Sequence, residues 1–140
     1  MPLFRTLKVW QKSHELVLDV YGVAKGLPAD ERFGLKSQFQ RAAYSIPTNI
    51  AEGQKRGTDR EFAQFLTIAS GSLAELQYLL ILLSDLRYVT AQDAERLTRR
   101  ADEVERMLTA FQAAVQARGA RRGDIAGASD LLTPDPGATE

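Results

Sequence analysis

The stretch Ala94–Val115, AERLTRRADEVERMLTAFQAAV, decides the fold. Its apolar residues Ala94, Leu97, Ala101, Val104, Leu108, Phe111 and Val115 step by 3, 4, 3, 4, 3 and 4. At 3.6 residues per turn that spacing draws one continuous stripe, the seam of a helical bundle. Thr90 and Asp93 stand just before it with the spacing of an N-terminal cap. Toward the N-terminus, Thr58 and Glu61 repeat that signal and open a third helix. Its stripe is Phe62, Phe65, Leu66, Ala69, Leu73, Leu76, Leu80 and Leu83, with Ile68, Leu79, Leu82 and Leu86 on another side. An apolar arc that wide suits a central helix or a subunit interface. Leu35, Phe39, Ala42, Ala43, Ile46 and Ile50 define a second helix, with Gly53 placed to stop it. Trp10, Val17, Val20, Tyr21 and Ala24 mark the first, which Gly26 and Pro28 end. A short turn is expected at Asp30–Arg32. The expectation is an all-α, antiparallel up-down four-helix bundle over residues 1–118, with a disordered tail over 119–140.

Composition agrees with one soluble domain. The 140 residues are 44% apolar and 26% charged, with no cysteine and one histidine. Disulfides, thiolate zinc sites, a cysteine nucleophile and any two-histidine metal site are thereby excluded. No run of eighteen consecutive apolar residues suggests a membrane span, and the N-terminus lacks a signal peptide's apolar region. A cytoplasmic location without membrane contact is expected. Net charge is zero, yet residues 1–60 hold ten Lys/Arg against six Asp/Glu. Residues 61–118 hold six against eight, and 119–140 two against four. A polyanion, if one binds, belongs in the first part.

Within the second helix, Ser45-Ile46-Pro47-Thr48-Asn49-Ile50-Ala51-Glu52-Gly53 breaks the local rules. Proline in a helix interior removes one backbone hydrogen bond and crowds the carbonyl four residues back, at about 3 kcal/mol. A kinked second helix follows, with Ser45 or Thr48 available to satisfy the Ala43 carbonyl. On a helical wheel Gln38, Arg41, Ser45, Asn49, Glu52 and Arg56 form a polar stripe beside the core face. Glu75 on the third helix is the natural counter-charge for Arg41. Such a stripe serves either to fix helix register or to bind a ligand's polar groups. The basic residues Lys36, Arg41, Lys55, Arg56 and Arg60 gather around this helix and its following loop, with Arg5, Lys8 and Lys12 expected near them. They are the candidate nucleic-acid contacts, and symmetric assembly would multiply them. Catalytic groupings are weak. Ser45 or Ser72 with His14 and Asp19 fails because His14 and Asp19 lie on different helix faces. Glu52 and Glu75 have no implied substrate pocket. No enzyme, cofactor or metal is expected.

Three ordered blocks carry a family resemblance: Phe4–Gln11, Gly34–Gly53 and Phe65–Leu76. Together they resemble the bacterial four-helix bundle proteins, also called 23S rRNA intervening-sequence proteins, over about residues 4–118. The resemblance implies an antiparallel bundle assembled as a ring-like homopentamer. Some members are encoded within insertions in 23S rRNA genes. The similar accessory variability proteins of diversity-generating retroelements work with a reverse transcriptase and nucleic acid. The implied partners are therefore a second copy of the chain, RNA or DNA, and a ribonucleoprotein or reverse transcriptase. A protein-interaction scaffold is the alternative. Arg41, Asn49, Glu52, Ser72 and Glu75 match the family motif, and the resemblance supplies no catalytic role for them.

Overall fold

Four helices account for nearly all of the chain in the computed structural model, which describes residues 2–132 and the side chains of 2–122. They are α1 (Lys8–Ala24), α2 (Leu35–Gln54), α3 (Asp59–Asp85) and α4 (Ala91–Leu132). Single 3-10 turns at Leu3–Thr6 and Ala29–Glu31 precede α1 and α2. Each helix packs on its neighbours in sequence, and α4 closes the circle against α1. Short connections between sequential neighbours make this an antiparallel up-down bundle.

Periodicity explains the core. Every member of the α4 seam is buried except Phe111, which is half-buried and meets Phe62 edge-on at 5.6 Å. On α3 the expected stripe is buried apart from half-buried Phe65, and Leu79 joins the core from the second side. The α1 face is rotated from expectation. Val9, Leu16, Val17, Val20 and Ala24 are buried, while Trp10 is half-buried and Tyr21 faces solvent. Phe39 is fully buried among small and branched residues at the bundle centre, whereas Trp10 and Tyr21 of α1 lie along its edge. Each fully buried leucine or isoleucine contributes about 1.5–3 kcal/mol relative to exposure. By composition α3 could span a membrane, with mean hydropathy 1.6 over its most apolar window. One side of that apolar helix meets α2 and α4, while Ile68, Tyr78 and Ile81 face outward.

Helix ends follow local chemistry. The Thr58 hydroxyl accepts from the Glu61 N–H at 3.1 Å and donates to the Glu61 carboxylate at 3.1 Å. Thr90 accepts from the Asp93 N–H at 3.0 Å. At the end of α3, Arg87 takes a left-handed φ of 62°. Its N–H reaches the Ser84 carbonyl at 3.0 Å, and the Tyr88 N–H reaches Leu83 at 3.0 Å. That pair of bonds is a Schellman closure, formed here by an arginine where glycine is usual.

Two expectations are corrected. Gly53 does not stop α2: the helix continues to Gln54, and Gly53 does not take a positive φ. Instead, a Cβ on Gly53 would lie 2.7 Å from the Phe65 Cβ and 2.8 Å from the Phe62 Cδ1. The glycine is there so that α3 can press on the α2 backbone. Nor does α4 end near Arg118, since it runs to Leu132. Alanine and arginine are strong helix formers, and no proline intervenes before Pro134. Of the tail expected over 119–140, the part beyond Leu132 falls outside the described residues.

Candidate nucleic-acid interface

The proline segment is a structural joint between α2 and α3. Pro47 is buried inside an unbroken helix. The Ser45 and Ser72 hydroxyls share a 2.7 Å hydrogen bond across the interface. Asn49 Nδ2 donates to the Ser45 carbonyl at 2.8 Å and to its hydroxyl at 3.0 Å. This small network pins the register of the two helices. Thr48 donates to the Tyr44 carbonyl at 2.7 Å rather than to Ala43, and Ser45 is engaged by Ser72. Only Ser45 and Asn49 of the polar stripe are drawn inward. Gln38, Arg41, Glu52 and Arg56 are exposed, as is Glu75. Arg41 and Glu75 make no ion pair among the described residues. Two exposed, flexible side chains gain little from meeting in water.

The basic residues separate along the bundle. Lys36 begins α2 and Lys55 follows its end, so helix rise places them about 28 Å apart. Arg41 lies between, about 21 Å from Lys55 by the same rise. The antiparallel topology then collects other cations beside Lys55, Arg56 and Arg60. Phe4 borders a shallow groove with Ala51, Glu52, Lys55 and Arg56, which brings Arg5 and Lys8 to that end. Arg56 lies over the Phe65 ring at 4.6 Å, and Arg5 over Trp10 at 5.9 Å. From α4 come Arg118, Arg121 and Arg122. Lys12 is not part of this group, because it pairs with Glu15 and Glu103 at 3.6 Å each.

Asp59 organises the pole. It is the first residue of α3 and buried, and Arg118 grips its carboxylate at 2.9 and 3.0 Å. Arg122, one turn further along α4, adds a contact at 2.9 Å. The Arg118 hydrogen bond holds the Asp59 carboxyl below its ordinary value of 3.8, outweighing burial, with the charges of Arg118 and Arg122 assisting. Arg118 is raised in turn by that hydrogen bond. Arg5, Lys8, Lys55, Arg56, Arg60 and Arg121 have no ion-pair partner among the described residues. A neutral chain thus carries one basic end. The sequence pointed to the α2 half of this pole and missed the α4 half. The available signal was Arg118 and Arg122 four residues apart on one face, at the helix end that meets Asp59.

The serine relay is not assembled. His14 stacks on Trp10 at 5.2 Å, Asp19 pairs with Arg96 at 3.3 Å and Arg100 at 2.7 Å, and Ser45 meets Ser72. Glu52 and Glu75 stand about 15 Å apart along the bundle by helix rise. No metal-binding group of three His, Cys, Asp or Glu occurs among the described residues.

Comparison with known proteins points the same way as the fold. A crystal structure from Bacteroides thetaiotaomicron, described as a protein of unknown function from the S23 ribosomal protein family, superposes with a TM-score of 0.69. It is 27% identical, and the match covers 74% of this chain and 97% of that one. No curated protein matches the chain. The family described as 23S rRNA-intervening sequence protein matches residues 5–110, from the first turn to the last leucines of the seam. The chain belongs to that family.

Proposed function

We propose that the protein is a non-enzymatic, cytoplasmic homo-oligomer, pentameric as the family resemblance implies, that binds nucleic acid or a ribonucleoprotein. The contacts are Lys55, Arg56 and Arg60, joined by Arg5, Lys8 and Arg121. One observation carries the reading: a chain of zero net charge gathers Arg5, Lys8, Lys55, Arg56, Arg60 and Arg121, none with an ion-pair partner among the described residues, at the end where α2 turns into α3. Phosphates are the natural counter-charge for such a surface, and each neutralised phosphate releases condensed ions. Repetition around an oligomer would strengthen the field. Apolar residues on the outer side of α3 support the oligomer, with Ile68 52% and Tyr78 59% exposed.

Fluorescence anisotropy with a structured RNA and a duplex DNA, at low and moderate salt, tests the binding. The expected result is salt-sensitive association weakened by Lys55/Arg56/Arg60→Ala. Absence of binding at low salt, or binding indifferent to that variant, would sink the reading. The same α3 surface favours a second reading, a protein-interaction scaffold. Co-purification of a protein partner that survives nuclease treatment would favour it.

A further inference from the structure

Between α1 and α2 lies a groove of about 470 Å³, lined by Phe4, Trp10, His14, Tyr44 and Pro47, with Glu52 among its residues. Its rings are ordered. Phe4 leans on Trp10 at 5.0 Å and 59°, and Trp10 stacks on His14 at 5.2 Å and 11°. Tyr44, on the other helix, is 45% exposed. Trp10 packs one side against the core, whereas Phe4 and His14 beside it and Tyr44 across the groove stand outside the buried core. Phe4 and Glu52 also line the shallower groove beside Lys55 and Arg56, so the rings adjoin the cations.

The geometry points to a binding site for single-stranded nucleic acid, in which an unpaired base enters between His14 and Tyr44 while flanking phosphates lie on Lys55 and Arg56. Aromatic faces hold bases of any sequence by stacking, and a nearby cationic track holds the backbone. Glu52 borders both grooves, so the phosphates lie beyond it on Lys55 and Arg56 and the base on the aromatic side. A paired base, already stacked on both faces, has no free face to offer. This inference rests on the nucleic-acid reading above and adds to the cationic pole a site that only unpaired strands fill.

Trp10 is the chain's one tryptophan, so its fluorescence reports on the groove directly. The full-length protein is titrated with RNA and DNA strands of about twelve nucleotides, within the range of known single-strand sites. Their duplexes and an abasic strand of equal length serve as controls. Intact single strands should quench Trp10, whereas the abasic strand and duplex should not. His14→Ala/Tyr44→Ala should weaken single-strand binding about tenfold or more, consistent with loss of stacking, and leave abasic binding unchanged. His14→Phe/Tyr44→Phe should restore the affinity. Equal binding of intact and abasic strands, or an alanine variant with undiminished affinity, would overturn the groove and leave the cationic pole standing. Failure of every nucleic acid to bind would overturn both.

Discussion

The two ends of the bundle perform the same covalent task and solve it differently. At one end α3 turns into α4 through a backbone closure, with Arg87 in the left-handed region and two main-chain hydrogen bonds completing it. Charges there are mixed, with Asp30, Glu31 and Asp85 among Arg32, Lys36 and Arg87. At the other end α2 turns into α3 over a glycine pressed against two phenylalanines, and Asp59 ties α4 to the junction. One carboxylate engages two arginines there, and the remaining cations have no ion-pair partner among the described residues. The first end is closed by backbone geometry. The second also carries a surface suited to a ligand.

That contrast can be broken by substitution. Gly53→Val should be the most damaging, because the new side chain meets Phe62 and the Phe65 Cβ with no flexible group to yield. A loss of about 3 kcal/mol in urea unfolding is expected, the upper range for overpacking. A loss below about 0.5 kcal/mol, the level of an ordinary surface change, would show that the α2–α3 contact is loose.

Asp59 should give the basic end a pH signature. Its carboxyl is lowered when folded, so the unfolded chain takes up the proton first as pH falls. The associated stability is present above the ordinary value of 3.8 and is lost as pH drops through the lowered folded value. Asp59→Asn should lower the melting temperature at neutral pH and bring the variant and native curves together in acid. Parallel curves at all pH values would deny the tie its stabilising role.

Arg87→Gly should act in the opposite sense at the other end. Relief of the left-handed strain is about 1–2 kcal/mol, partly offset by the greater freedom of glycine when unfolded. A net gain of about 1 kcal/mol in urea unfolding is expected. Destabilisation would mean that the Arg87 side chain matters more than its backbone. Effects of similar size come from the two caps, where Thr58→Ala and Thr90→Ala should each lose about 1 kcal/mol. Thr58 should lose slightly more, because its hydroxyl also holds the Glu61 carboxylate. A larger loss at Thr90 would reverse that ordering.

Much of this architecture was legible in the chain. The seams of α3 and α4 and both threonine caps follow from spacing alone, since periodicity and capping are local properties. The face of α1 was harder to read, because Trp10 and Tyr21 look like core residues by hydrophobicity and Leu16 does not stand out beside them. Helix rotation decided the matter: Leu16 turns into the core, while Trp10 and Tyr21 border it. Gly53 was misread because the same residue permits either a helix stop or a close approach, and only its neighbours distinguish them. Asp59 with Arg118 and Arg122 left almost no linear signal, being brought together only by the antiparallel pairing of α3 with α4. The basic residues were recognised by type, but their division between the ends depends on helix length. Lys36 and Lys55 are near neighbours in function only if α2 is ignored as a rod.

The salt dependence of nucleic-acid binding, compared between charge variants of the two ends, tests the central claim most directly. For native protein, log affinity for duplex DNA should fall linearly with log salt. Lys55/Arg56/Arg60→Ala should reduce that slope by about 3 for each engaged subunit, at roughly 0.9 per phosphate contact. Arg32/Lys36/Arg87→Ala should leave slope and affinity unchanged. Equal losses from both triple variants, or no binding by native protein at low salt, would contradict the account.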